Sequence, residues 1–167
     1  DVQKSAPGVF TGKPLEFGGS LARTEATGYG VNLTAKLVLD KLGIDIKNAT
    51  YAVQGFGNVG YFTAYYAYKC GAKIVAVSNV DTAVYNENGL DMEKIIKEVG
   101  ANGFIADGVY GKKITNQELL DLDVDVLSPC ALENQITTEN ADRIKAKVIS
   151  EGANGPTTPE AEEILLK

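Results

Sequence analysis

From about Thr24 to Leu42, apolar residues recur at spacings of three and four: Val31, Ala35, Val38, Leu39 and Leu42. That spacing predicts a helix with one apolar face, and Gly43 is placed to cap it. Thr50 to Gln54 (TYAVQ) is a short β-prone run ending in glycine. Asn58 to Cys70 returns to helical spacing through Val59, Phe62, Ala64 and Ala67, and Gly71 stops it. Lys73 to Val77 (KIVAV) is a second strand, continuously apolar as in a strand buried on both faces. Asp91 to Val99 predicts a helix with Asp91 in its first turn. The glycine-rich stretch 100–116 carries no clear pattern. Beyond it come a short helix from Asn116 (NQELLDL), a strand at Val124 to Leu127, and a short helix at Thr138 to Ile144. A strand at Ala146 to Ser150 and a helix at Pro159 to Leu166 follow. Strands alternating with helices indicate an α/β fold with a mostly parallel sheet, which binds ligands at the carboxyl ends of its strands.

Composition narrows the chemistry. The 167 residues suit one domain, with 1–20 as an irregular lead-in rich in Gly, Pro and Lys and 21–167 as its body. A net charge of −6 and a pI near 4.7 argue against nucleic acid, which calls for clustered Lys and Arg. There is no histidine, so the commonest general base, the usual triad and most zinc sites are excluded together. No metal site is expected. Cys70 and Cys130 form no C-x-x-C pair and read as thiols in a reducing cytoplasm, with a disulfide between them as the alternative. No apolar run reaches the roughly 18 residues of a membrane span. The chain opens at Asp1 rather than Met, with no signal peptide, which suggests a piece of a longer protein.

Gly55-Phe56-Gly57-Asn58-Val59-Gly60 is G-x-G-x-x-G, set between a strand and a helix. Gly55 would permit the tight turn, Gly57 would let a pyrophosphate approach the backbone, and Gly60 would let helix pack on strand. The N–H groups of the helix start, with the positive end of its dipole, would face the phosphates. A bare structural turn is the alternative; the strand before, the helix after and the second strand beyond favour a dinucleotide. At the end of that second strand stand Asn79, which is neutral, and Asp81, with no Arg nearby to hold a 2′-phosphate. This leans to NAD and leaves NADP open.

Three further segments are unusual: GGSLARTEATGYGV from Gly18, PCALEN from Pro129, and EGANGPTTPEA from Glu151. In this order with GFGNVG, and with the lead-in TGKPLEFGGS, they resemble the glutamate dehydrogenase family over nearly the whole chain. The resemblance implies a Rossmann-type, doubly wound fold with helices on both faces. It implies that Thr27 lies near the nicotinamide carboxamide and Arg23 beside the substrate pocket. Phe56 to Val59 would cover the pyrophosphate, Cys130 and Ala131 would touch the nucleotide through their backbone, and Asn154 would approach ribose, nicotinamide and substrate.

The residues themselves agree without deciding. The guanidinium of Arg23 suits a carboxylate or pyrophosphate, with a solvated arginine at a helix start as the alternative. Thr27 could be an ordinary helix residue and Asn154 an ordinary turn residue. Cys130 reads as a packed thiol, with no base near it, and the tyrosines of YFTAYYAY read as packing.

The family's catalytic lysine and aspartate belong to a domain expected to precede this region, so no catalytic residue is assigned here. The whole enzyme would be an NAD(P)-dependent oxidoreductase interconverting L-glutamate and 2-oxoglutarate plus ammonia, and a homohexamer. The chain alone is expected to bind nucleotide without turnover. A leucine- or phenylalanine-type dehydrogenase domain and a regulatory nucleotide-sensing module are the alternatives.

Overall fold

The computed structural model describes residues 6–100, 105 and 108–167. The apolar stripe at the start becomes α1 (Arg23–Lys41). Val31, Ala35 and Leu39 are buried, as spacing predicts, but Val38 and Leu42 stay 36% and 53% exposed. Val38 sits at the margin of the buried face, and Leu42 lies just past the helix end as its C-cap. β1 (Thr50–Gln54) and α2 (Asn58–Lys69) follow, and α2 ends where predicted. There the Ala72 N–H reaches back to the Ala67 carbonyl and that of Gly71 to Tyr68, so glycine closes the helix.

Next come β2 (Lys73–Ser78), β3 (Ala83–Tyr85), α3 (Met92–Glu98), β4 (Lys112–Ile114) and α4 (Asn116–Leu120). β5 (Val126–Pro129), β6 (Val148–Ile149) and α5 (Pro159–Leu165) complete the order. Asp91 is the N-cap of α3 rather than a first-turn residue, accepting from the Lys94 N–H at 3.0 Å.

The six strands form one sheet in the order β4-β3-β2-β1-β5-β6. The pairs β1–β2, β1–β5 and β5–β6 are parallel, and β3 is antiparallel to both its neighbours. Only β3 therefore runs against the rest. β1 is buried on both sides. Tyr51 and Val53 join one apolar cluster with Leu39 of α1, Ala64 and Ala67 of α2 and Ile95 of α3. Ala52 joins the other, with Leu119 of α4 and Ala161 of α5. Helices on both faces of a mostly parallel sheet make a doubly wound α/β fold.

Three predicted elements differ. The helix at Thr138 to Ile144 shrinks to a 3-10 turn at Ala141–Arg143. Side chains compete there for the backbone: Thr137 N–H donates to Asn140 Oδ1 at 2.8 Å and Glu139 N–H to Thr137 Oγ1 at 3.3 Å. The strand expected at Val124 to Leu127 is shifted to Val126–Pro129, and the one at Ala146 to Ser150 shortens to Val148–Ile149. β3 and β4 lie where the pattern was silent. β4 is an edge strand that begins with Lys112 and Lys113, a composition typical of edges.

Candidate functional site

β1 leads to β2 on one side of the sheet, and β5 joins it on the other. The switch in direction falls between β1 and β5, and the glycine-rich turn lies at its carboxyl end. Gly55 has φ +86°, and a Cβ there would come within 2.8 Å of Ala131. A side chain at this position would meet both the backbone penalty and the neighbouring loop. The Gly55 N–H donates to the buried Ser78 hydroxyl at 3.0 Å, which ties the turn to the end of β2. At Gly60 a Cβ would lie 1.7 Å from the Gly55 carbonyl oxygen, so only glycine lets α2 sit this close.

Gly57 differs. It is exposed, it is the N-cap of α2, and its φ of −74° is open to any residue. Its backbone conformation gives no reason for a glycine. Asn58, Val59 and Gly60 open the helix with N–H groups that have no partner inside it, and no side chain caps them. An anionic group fits such a site.

Neighbouring segments close around the turn. The Asn58 amide donates to the Thr24 carbonyl, joining it to the start of α1. At Gly152 a Cβ would lie 2.6 Å from Cys130 Sγ and 2.9 Å from Val59 Cγ1. The N–H groups of Gly152 and Ala153 donate to the Pro129 carbonyl at 3.0 and 3.1 Å. Cys130 N–H in turn donates to the Gln54 carbonyl at 2.8 Å. Gly55, Val59, Cys130, Ala131 and the turn before Asn154 thus share one end of the sheet.

Arg23 and Thr27 are exposed on α1, one turn apart and on the same side of the helix. Asn154 is exposed in the turn after β6, which is pinned where the Asn134 N–H donates to the Gly155 carbonyl at 3.0 Å. The Phe56 ring is buried and meets Tyr61 edge-on at 5.6 Å, so only its backbone faces the turn. Burial pushes the Cys130 thiol up to about 12, despite the Thr63 hydroxyl 3.8 Å away, and the group is inert as a nucleophile. Asn79 spends its amide on the Ile105 carbonyl at 3.3 Å, while Asp81 is exposed. The tyrosines of α2 pack as expected: Tyr61, Tyr65, Tyr66 and Phe62 form a ladder of ring contacts that reaches Tyr29 of α1.

Beside the turn runs an open groove of about 1000 Å³ between α1 and the β6–α5 edge. Of the anticipated residues only Thr27 lines it, so the groove flanks the site rather than forming it. Sequence reasoning missed Gly28, Ser78 and Gly152. A Cβ on Gly28 would lie 2.6 Å from Phe62 Cβ, so this glycine sets the distance between α1 and α2. The partners of all three lie more than twenty residues away; Gly28 and Gly152 stand in segments already marked as unusual, but their packing roles do not show in the local pattern. Among the described residues, no group of His, Cys, Asp or Glu could hold a metal ion. Among the same residues, no helix is long and apolar enough to cross a membrane.

A doubly wound sheet with a three-glycine turn at its switch point defines the class as an α/β domain built to present a helix start at its carboxyl edge. The chain belongs to the glutamate/leucine/phenylalanine/valine dehydrogenase family, whose model matches residues 18–167. It is 55% identical over its whole length to a glutamate dehydrogenase of Thermotoga maritima, of which it covers 40%. It is 49% identical to an NAD-specific glutamate dehydrogenase of Clostridioides difficile, over 98% of this chain and 40% of that one. Among solved structures it resembles a hetero-hexameric glutamate dehydrogenase of Thermus thermophilus, with a TM-score of 0.83 and 33% identity. That match covers 96% of this chain and 38% of the other. The chain thus spans about two fifths of the length of these relatives.

Proposed function

We propose that this chain is the dinucleotide-binding domain of a glutamate dehydrogenase, standing carboxyl-terminal to the catalytic domain. The observation that carries the reading is Gly57: exposed, in ordinary backbone geometry, at an uncapped helix start. A pyrophosphate explains why a side chain is missing there, and the N–H groups of Asn58, Val59 and Gly60 would hold it.

The nucleotide is NAD. Relatives from Clostridioides difficile and Bacillus subtilis are named NAD-specific, and the loop after β2 offers Asp81 with no arginine for a 2′-phosphate. Bound there, the nicotinamide would supply the acceptor for hydride from the substrate Cα. This chain's residues would bind and orient: Thr27 at the carboxamide, Cys130 and Ala131 through their backbone, and Asn154 at the ribose. Arg23 would hold a substrate carboxylate. The whole protein would interconvert L-glutamate and 2-oxoglutarate plus ammonia, act in the cytoplasm, and assemble as a hexamer. Glutamate is favoured over other amino acids because the relatives above are named glutamate dehydrogenases.

The test is NADH titration of the full-length protein and its Gly57→Val variant, alongside glutamate-dependent NADH formation. The parent should bind and turn over, and the variant should lose binding while keeping its fold. A variant that binds as well as the parent would overturn the reading. The 167-residue chain alone should show no glutamate oxidation.

A further inference from the structure

The loop after β2 carries Asn79 and Asp81, and its shape is imposed from elsewhere in the chain. The Asn79 N–H closes the turn onto the Thr82 carbonyl at 2.7 Å. Thr82 and Ala83 are buried, which anchors the far side. The tip has no such anchor: Val80 is 89% exposed and Asp81 is exposed.

What holds the tip is Asn116, the first residue of α4. Its amide nitrogen donates to the Asn79 and Val80 carbonyls, both at 3.1 Å. Two acceptors demand a group with two N–H bonds on one nitrogen, which a side-chain amide supplies. Asn116 is itself held in place. Thr115 and Glu118 form a reciprocal capping box, with the Thr115 N–H on Glu118 Oε2 at 2.7 Å and the Glu118 N–H on Thr115 Oγ1 at 3.1 Å. Next to it Gln117 accepts from the Asn140 amide at 3.3 Å, so α4 also touches the segment after β5. Among the described residues the Asn116 Oδ1 is buried without a partner, and the side chain's two bonds go to the loop.

We propose that Asn116 is a positioning residue for nucleotide choice. By gripping the carbonyls of Asn79 and Val80 it fixes the direction in which Asp81 faces the adenosine ribose. The Asp81 carboxylate then repels a 2′-phosphate and accepts from a 2′-hydroxyl. Without the grip the exposed tip turns freely and the charge no longer discriminates. The proposal rests on the reading that this chain binds NAD.

The experiment uses the full-length protein and measures NADH and NADPH affinities at one ionic strength. The parent is compared with Asn116→Leu, Asn116→Ser, Asp81→Asn and the double variant Asn116→Leu/Asp81→Asn. Leucine keeps the side chain's shape and removes the donors; serine is too short to span both carbonyls and guards against misfolding of the first variant. Asn116→Leu should cut the preference for NADH by about three- to tenfold, the size of one partly screened charge, through tighter NADPH binding and a smaller loss of NADH affinity as the 2′-hydroxyl contact slackens. Asp81→Asn should cut it to a similar degree, and the double variant no further, because Asn116 acts through Asp81. An unchanged ratio in both Asn116 variants would overturn the proposal, as would additive effects in the double variant. Loss of all nucleotide binding in both Asn116 variants would also overturn it, since that marks a purely structural residue. A parent that binds neither nucleotide would instead overturn the binding reading itself, which keeps the two failures apart.

Discussion

The two ends of the sheet are built on opposite principles. At the amino end, Asp125 accepts from the Thr50 N–H at 2.8 Å, from the Thr50 hydroxyl at 3.0 Å and from Lys147 at 2.7 Å. The Asp125 N–H returns a bond to the Thr50 hydroxyl at 3.0 Å. One carboxylate thus ties the starts of β1, β5 and β6. At the carboxyl end, five buried polar atoms have no hydrogen-bond partner among the described residues: Gln54 Oε1, Thr82 Oγ1, Asn116 Oδ1, Ser128 Oγ and Thr157 Oγ1. All belong to strand ends, to loops beyond them or to the first residue of α4, on the side of the glycine turn. Unpaired buried polar groups are costly, so proteins concentrate them where something else requires it. The amino end holds the strands together, and the carboxyl end leaves polar groups unpaired.

The sharpest way to break this contrast is at Gly60. A Cβ 1.7 Å from a carbonyl oxygen must push α2 off the turn. Gly60→Ala is expected to cost about 3 kcal/mol or more of stability, measured by denaturant unfolding. A cost below about 1 kcal/mol would show that the packing is looser than its geometry.

Gly57→Val separates binding from folding. Nucleotide affinity should fall about a hundredfold, roughly 2.7 kcal/mol, while stability falls by no more than about 1 kcal/mol, the size of a weakened N-cap. Equal losses in both measurements would erase the distinction between Gly57 and its two neighbours.

Asp125→Asn should do the reverse, lowering stability by about 1 kcal/mol, after allowance for the exposed lysine, and leaving NADH affinity alone. It also has a pH signature. Burial by itself would raise the Asp125 carboxyl, but the bonds from Lys147 and Thr50 outweigh it and leave it below the usual range. A depressed folded pKa gives stability that is present above the unfolded value of about 3.9 and is lost as pH falls through the folded one. Acid unfolding curves of the parent should therefore carry a step below about pH 4 that Asp125→Asn lacks.

Ser128→Ala should have the smallest effect. The hydroxyl is fully buried and unpaired, so its loss is expected to change stability by less than about 1 kcal/mol and to favour the variant. A larger destabilisation, seen in the same unfolding assay, would mean that the hydroxyl is bonded in solution.

How much of this was legible depends on how local each cause is. β1 and α2 matched their predicted bounds almost to the residue, because an apolar run, a glycine turn and a glycine stop follow one another without a gap. The central glycines of the site were legible for the same reason. Gly28 and Gly152 were not, since their need for glycine comes from Phe62 and Cys130, far along the chain. Asn134 stood inside a segment already marked as unusual, yet its φ of +54° gave no sign in sequence. Its conformation goes with a backbone bond to Gly155 that only the folded chain makes. β3 and β4 are three residues each, too short for alternation to be read. Asn79 was identifiable as a residue at the end of β2, but not the direction of its amide, which follows from Ile105.

The contact between α1 and α2 has a mechanical consequence. Gly28 brings the helices to backbone distance, the Asn58 amide grips the Thr24 carbonyl, and the Tyr66 hydroxyl holds Glu25 at 2.7 Å. That last bond, with burial second, raises the phenol to about 12, in keeping with a hydroxyl that donates to Glu25. With three fastenings within two turns of helix, Arg23 and Thr27 cannot swing independently of Gly55–Gly60. Together they make one stiff block, in which the start of α1 and the glycine turn keep a fixed spacing.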